Sequence, residues 1–83
     1  MLRIVYFARL REAVGADGEQ VEVEAGTSIA ELINRMSAQS ERHAAAFSDR
    51  AKLRFALDQN MVRVDAVLDG ANELAIFPPV TGG

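Results

Sequence analysis

The chain has no cysteine, which excludes disulfide frameworks, thiolate metal sites and a cysteine nucleophile. It has one histidine, His43, so a multi-histidine metal site is excluded and a histidine-based relay has little scope. Basic residues are not in excess: nine Lys and Arg stand against twelve Asp and Glu, for a formal charge of -3 and a pI near 5.0. Phosphate-rich partners need a basic face, so neither nucleic acid nor an anionic membrane is the expected partner. No apolar run approaches the ~20 residues that cross a bilayer. Arg3 lies near the start, but no apolar signal core with a small-residue cleavage site accompanies it. These absences predict a soluble, cytoplasmic domain with no metal or cofactor of its own and no self-contained active site.

What is present is an ordinary globular composition, 49% hydrophobic and 25% charged. Eighty-three residues leave room for one small core. Leu2 to Ala8 are apolar apart from Arg3 and rich in β-branched and aromatic types, the pattern of a central strand buried on both faces. Arg9 to Val14 have mixed polarity, and Gly15-Ala16-Asp17-Gly18 is turn chemistry. From Glu19 to Glu24, Val21 and Val23 alternate with Glu22 and Glu24, which predicts a half-buried strand in a hairpin with the first.

Ser28, with Glu31 three residues on, reads as a capping box. Ile29, Leu32, Ile33 and Met36 then repeat at helical spacing, one stripe to be packed against a sheet. Ser40 to Lys52 is less periodic and predicts a short second helix or helical connection. His43 sits there among Ser40, Glu41 and Arg42 and is expected to be a solvated surface side chain. Leu53, Phe55 and Leu57 predict a third strand, and Met61, Val62 and Val64 a short fourth segment. Leu68-Asp69-Gly70 is a turn, and Glu73 to Phe77 form a last buried strand that Pro78-Pro79 stops.

The first and last strands are the most uniformly apolar, so they are expected to be parallel central neighbours with the main helix crossing one face by a right-handed connection. The predicted fold is therefore an α+β β-grasp roll, with residues 1–77 as the domain and 78–83 as an extended tail.

From Leu74 onward no side chain is charged, and the last residues are Val80-Thr81-Gly82-Gly83. A glycine pair has no β-carbons and can thread a channel too narrow for other residues. Pro78-Pro79 imposes an extended exit, and six residues span at most ~20 Å. Such a tail projects a free carboxylate, the one group here that an activating enzyme can convert to an acyl-adenylate. Without cysteine, the chain can hold sulfur only as a thiocarboxylate on Gly83.

YFARLRE (Tyr6 to Glu12), the helix capped at Ser28, ALDQNMV (Ala56 to Val62) and FPPVTGG (Phe77 to Gly83) resemble, over essentially the whole chain, the MoaD family of molybdopterin synthase small subunits. These are ubiquitin-like sulfur carriers related to ThiS. The resemblance implies that an E1-like adenylating enzyme activates Gly83 with ATP and that a sulfur donor system makes the thiocarboxylate. It implies that the tail, Pro78, Pro79, Val80, Thr81, Gly82 and Gly83, enters a MoaE-type large subunit in a heterotetramer. There, two sulfur transfers would convert cyclic pyranopterin monophosphate to the molybdopterin dithiolene. The small subunit is then a sulfur donor within a sulfurtransferase complex and is not catalytic alone. Phe7, Met61 and Phe77 occupy the matching positions of a docking surface beside the tail, and Phe77 is expected to be partly exposed.

Two turns depart from the family pattern. Asp58 stands where an Asn is common, and Gly70-Ala71-Asn72-Glu73 replaces a DGDE turn, so Gly70 or Asn72 must take the positive φ that Ala71 disfavours. Three other readings share these features: a ThiS-like carrier for thiazole synthesis, a ubiquitin-like protein modifier, and a binding module with an incidental glycine end.

Overall fold

The computed structural model describes residues 1–78. Its order is β1 (Leu2–Tyr6), α1 (Arg9–Val14), β2 (Gly18–Val21), α2 (Ile29–Gln39), α3 (Glu41–Ala46), a 3-10 turn at Arg50–Lys52, β3 (Arg54–Leu57), β4 (Asn60–Val62) and β5 (Glu73–Phe77). The strands form one mixed sheet in the order β2-β1-β5-β3-β4. β1 and β5 are parallel inner neighbours, with Ile4 opposite Leu74 and Tyr6 opposite Ile76, as their apolar content predicts. All other pairings are antiparallel. This is the ubiquitin-like β-grasp arrangement of an α+β domain.

Alternation along the strands assigns the two faces. Leu2, Ile4, Tyr6, Phe55, Leu74 and Ile76 are buried against the helical layer. From the other side, Ile29, Leu32, Ile33 and Met36 of α2 are all buried, so the helical stripe and the strand alternation meet in one core. Burying each such side chain contributes about 1.5–3 kcal/mol. The capping box is formed: Glu31 N–H donates to Ser28 Oγ at 3.1 Å, and Ser28 N–H donates to Glu31 Oε1 at 3.0 Å.

Several elements differ from the sequence expectation for local reasons. Arg9–Val14 is a helix because Leu10 and Val14, one turn apart, both reach the core and Gly15 ends it in the left-handed region at φ 86°. β2 stops at Val21, since its register ends at Leu2 opposite Val21 and residues 22–24 have no partner strand. Gly18 is sterically required, because a β-carbon there would lie 2.5 Å from the Ile4 carbonyl oxygen. β4 ends at Val62, and Val64 is turned out of the sheet because its carbonyl accepts the Ala30 N–H at the start of α2 (2.9 Å). Gly70 takes the positive φ in its turn, at 76°. The Asp58 carboxylate accepts the backbone N–H groups of Asn72 (3.0 Å) and Glu73 (2.9 Å), so it ties the β3–β4 turn to the start of β5.

His43 is not the solvated surface residue its polar neighbours predict. Its side chain is only 17% exposed, and its Nε2 lies 2.7 Å from Glu19 Oε2. The same carboxylate oxygen accepts the Tyr6 hydroxyl at 2.6 Å. The His43 ring also packs edge-on to Tyr6 and against Phe47. α3 packs against α1 and α2, and the tertiary fold brings Glu19 of β2 to its His43, which local polarity does not encode. Burial pushes the Glu19 carboxyl up, but hydrogen bonds with His43 and Tyr6 and the His43 charge overcome this and hold it below its ordinary 4.5. Burial first, and then the Glu19 hydrogen bond, push the Tyr6 phenol far above its ordinary 10.0.

The signs of these shifts give a stability profile. Glu19 favours the fold above about pH 4.5, and that contribution is lost as pH falls through its lower folded value. Tyr6 favours the fold fully below about pH 10.0 and progressively less above it. Urea midpoints measured against pH are expected to fall on both sides of neutrality. Glu19→Gln should flatten the acid limb and Tyr6→Phe the alkaline limb.

Candidate functional site

The sheet face away from α2 carries Arg3, Val5 and Phe7 on the β1 side, and Glu73, Ala75 and Phe77 on β5. The register sets Val5, Ala75, Ala56 and Met61 in one row across four strands. The small Ala75 and Ala56 make a shallow floor, Phe7 and Phe77 stand at one rim, and Met61 stands at the far edge. Phe7 N–H donates to the Ile76 carbonyl at 3.2 Å, which continues the β1–β5 ladder one residue past β1. The Phe7 and Phe77 rings stack with centroids 4.7 Å apart and planes 10° from parallel. Phe7 is 41% exposed and Met61 63%, and Phe77 is half-buried. Neither Phe7 nor Met61 belongs to the core.

Phe7 is held by an abrupt reversal. Ala8 adopts φ 53°, ψ −132°, a region that glycine occupies freely and alanine only under strain of about 1–3 kcal/mol. The Leu10 N–H closes the turn on the Phe7 carbonyl (3.2 Å). The chain can then leave the sheet into α1 immediately after Phe7, and the ring keeps its place on the open face. Nothing in the sequence marks Ala8, because alanine gives no sign of its backbone angles. Val5, Ala56 and Ala75 were equally silent as floor residues, since only the register joins them.

Pro78 is half-buried and follows Phe77 directly, so the tail leaves the sheet beside the stacked rings. Pro79, Val80, Thr81, Gly82 and Gly83, the remaining sequence-predicted site residues, lie outside the described residues. Among the described residues no group of three or more His, Asp or Glu side chains is placed to hold a metal, and no helix is long and apolar enough to cross a membrane. The arrangement brings together an apolar platform and the root of an uncharged tail.

The structure defines a ubiquitin-like β-grasp domain whose open face and tail root share one sheet edge. The ThiS family model matches residues 4–83, and the chain belongs to that family, among the sulfur carrier subunits of molybdopterin synthase (MoaD). It is 42% identical to the molybdopterin synthase sulfur carrier subunit of Escherichia coli over the whole of both chains. It is 35% identical to that of Haemophilus influenzae, again over the whole of both. The crystal structure of the small archaeal modifier protein SAMP1 from Haloferax volcanii superposes with a TM-score of 0.75, covering 99% of this chain and 98% of that one. At 21% identity this likeness concerns the fold alone.

The stacked rings are expected to stabilise each other beyond their burial. A double-mutant cycle of Phe7→Ala and Phe77→Ala in urea should give a coupling of about 0.5–1.5 kcal/mol. Additive losses would show that the rings do not interact in solution.

Proposed function

We propose that the chain is the sulfur-carrying small subunit of a molybdopterin synthase and that Gly83 is the residue chemically changed. The supporting observation is the identity, over the whole of both chains, with molybdopterin synthase sulfur carrier subunits of two bacteria. The Gly83 carboxylate attacks the α-phosphorus of ATP on an E1-like enzyme, forming the acyl-adenylate and releasing pyrophosphate. Hydrosulfide delivered by a donor system then attacks the carbonyl and expels AMP, losing its proton to leave a thiocarboxylate with no change of oxidation state. In the large subunit that sulfur passes to cyclic pyranopterin monophosphate, and water returns the carrier to its carboxylate form. Two loaded carriers supply the two sulfurs of the dithiolene. The chain itself holds neither ATP nor a metal in this scheme.

The exposed platform explains how such a short tail is placed. A partner that buries Phe7, Phe77 and Met61 has the tail root, Pro78, at the edge of its contact, and Pro79 to Gly83 then need only enter a channel. Aromatic and Met anchors are the groups that concentrate binding energy at such interfaces. Among the described residues the core is built from side chains between Leu2 and Ile76, which makes loading at Gly83 separable from folding in this scheme.

Intact-mass measurement after incubation with the adenylating enzyme, ATP and a sulfur donor should show one oxygen replaced by sulfur, located at Gly83. Deleting Gly83 should abolish the gain and leave the urea midpoint unchanged. Absence of the gain in the intact chain, with the enzyme competent on another carrier, would overturn the reading. Calorimetry with the large subunit should show Phe7→Ala and Phe77→Ala each weakening binding about tenfold or more. Unchanged affinity would remove the platform from the docking surface.

A further inference from the structure

A second surface feature lies at the other edge of the sheet. The β3–β4 pairing ends at Phe55 opposite Val62, so Arg54 at the start of β3 has β5 on one side and no strand on the other. From Arg63 the chain swings to the start of α2, where the Val64 and Ala66 carbonyls accept the N–H groups of Ala30 (2.9 Å) and Ile29 (3.0 Å). That departure opens a groove of about 360 Å³ bordered by Arg50, Arg54 and Arg63. It adjoins an apolar recess of about 200 Å³ over Ile33, Phe55 and Val64.

The charge of this groove is opposite to that of the protein. The chain carries a net -3, yet three guanidinium groups border the groove and no carboxylate lines it or the recess. Among the described residues none of the three is paired with an acid. Arg50 is held by the Asn34 amide oxygen and the Ser37 hydroxyl of α2, which orient it without neutralising it. Arg54 donates to the backbone carbonyls of Lys52 (3.4 Å) and Leu53 (3.2 Å). Arg63 is exposed, and its side chain makes no hydrogen bond or ion pair among the described residues.

We propose that this groove docks an acidic segment of a protein partner, with its carboxylates on Arg50, Arg54 and Arg63 and one aliphatic side chain in the recess. Guanidinium forks match carboxylates in a bidentate geometry. The apolar recess, in turn, selects against a bare anion and for a peptide that alternates acidic and aliphatic residues. An extended nucleic acid is disfavoured by the acidic remainder of the surface. Arg54 is opposite Phe77 in the sheet, so a partner lying on the aromatic platform can reach the groove without a separate approach. The inference rests on the groove's own shape and charge and does not require the sulfur-carrier chemistry.

The test is an amide NMR titration of the full ¹⁵N-labelled chain with an acetylated, amidated pentapeptide of four glutamates around a central leucine. Shifts are expected at residues 50–54 and 62–64. Arg63→Glu should weaken binding about tenfold or more, and Arg63→Lys much less. Replacing the leucine by serine should weaken it as well, and replacing the glutamates by lysines should abolish it. Arg54→Glu gives an independent charge reversal should Arg63→Glu perturb the spectrum of the free chain. Shifts that are absent, centred on Phe7 and Phe77, unchanged by both charge reversals, or equal for the serine peptide would overturn the proposal.

Discussion

The parallel pairing of β1 with β5 is the constraint on which the rest of the molecule depends. It brings together two segments from far apart in the sequence and makes them the middle of the sheet. Because parallel strands point the same way, both leave the sheet at the same edge. Phe7 and Phe77 therefore meet there, and the tail starts beside them. An antiparallel pairing of the same residues would send the tail to the opposite edge from Phe7. The functional arrangement is a consequence of strand direction before any side chain is considered.

The periphery is fastened by polar contacts at the places where the apolar core runs out. Glu19 collects Tyr6 and His43 on one carboxylate oxygen and so joins β1, β2 and α3. Asp58 does the same for the turn after β3 and the turn before β5, which meet at one end of that strand pair, with two backbone N–H groups as its partners. Gly26 N–H donates to Asp69 Oδ1 at 2.8 Å and links the loop before α2 to the turn before β5. A domain of this size buries too little surface to hold its loops by packing alone, and charge-assisted hydrogen bonds at these junctions compensate.

The surface divides into regions with different chemistry. The middle of the open sheet face is apolar and shallow, with alanines across its floor and stacked aromatics at its rim. The groove by Arg50, Arg54 and Arg63 is cationic in an acidic protein. The strained Ala8 belongs to the first region: its backbone angles cost stability at the residue that ends the platform, a pattern found where geometry is kept for a site.

Much of this was legible in the residues because the controlling physics is local. Capping at Ser28, the helical stripe from Ile29 to Met36, the turn glycines, and the proline stop after Phe77 act within a few residues of one another, and each was read correctly from spacing alone. The apolar character of β1 and β5 also predicted their central, parallel placement. The family resemblance carried by YFARLRE and FPPVTGG was legible without a fold, and the family match agrees with it. Tertiary structure alone decided the burial of His43 on Glu19, the short helix at Arg9–Val14, the floor of Val5, Ala75 and Ala56, and the convergence of three arginines. Each of these depends on cross-strand register or on helix-to-sheet contact between residues distant in sequence. Periodicity reports which way a side chain points, and register decides what it meets.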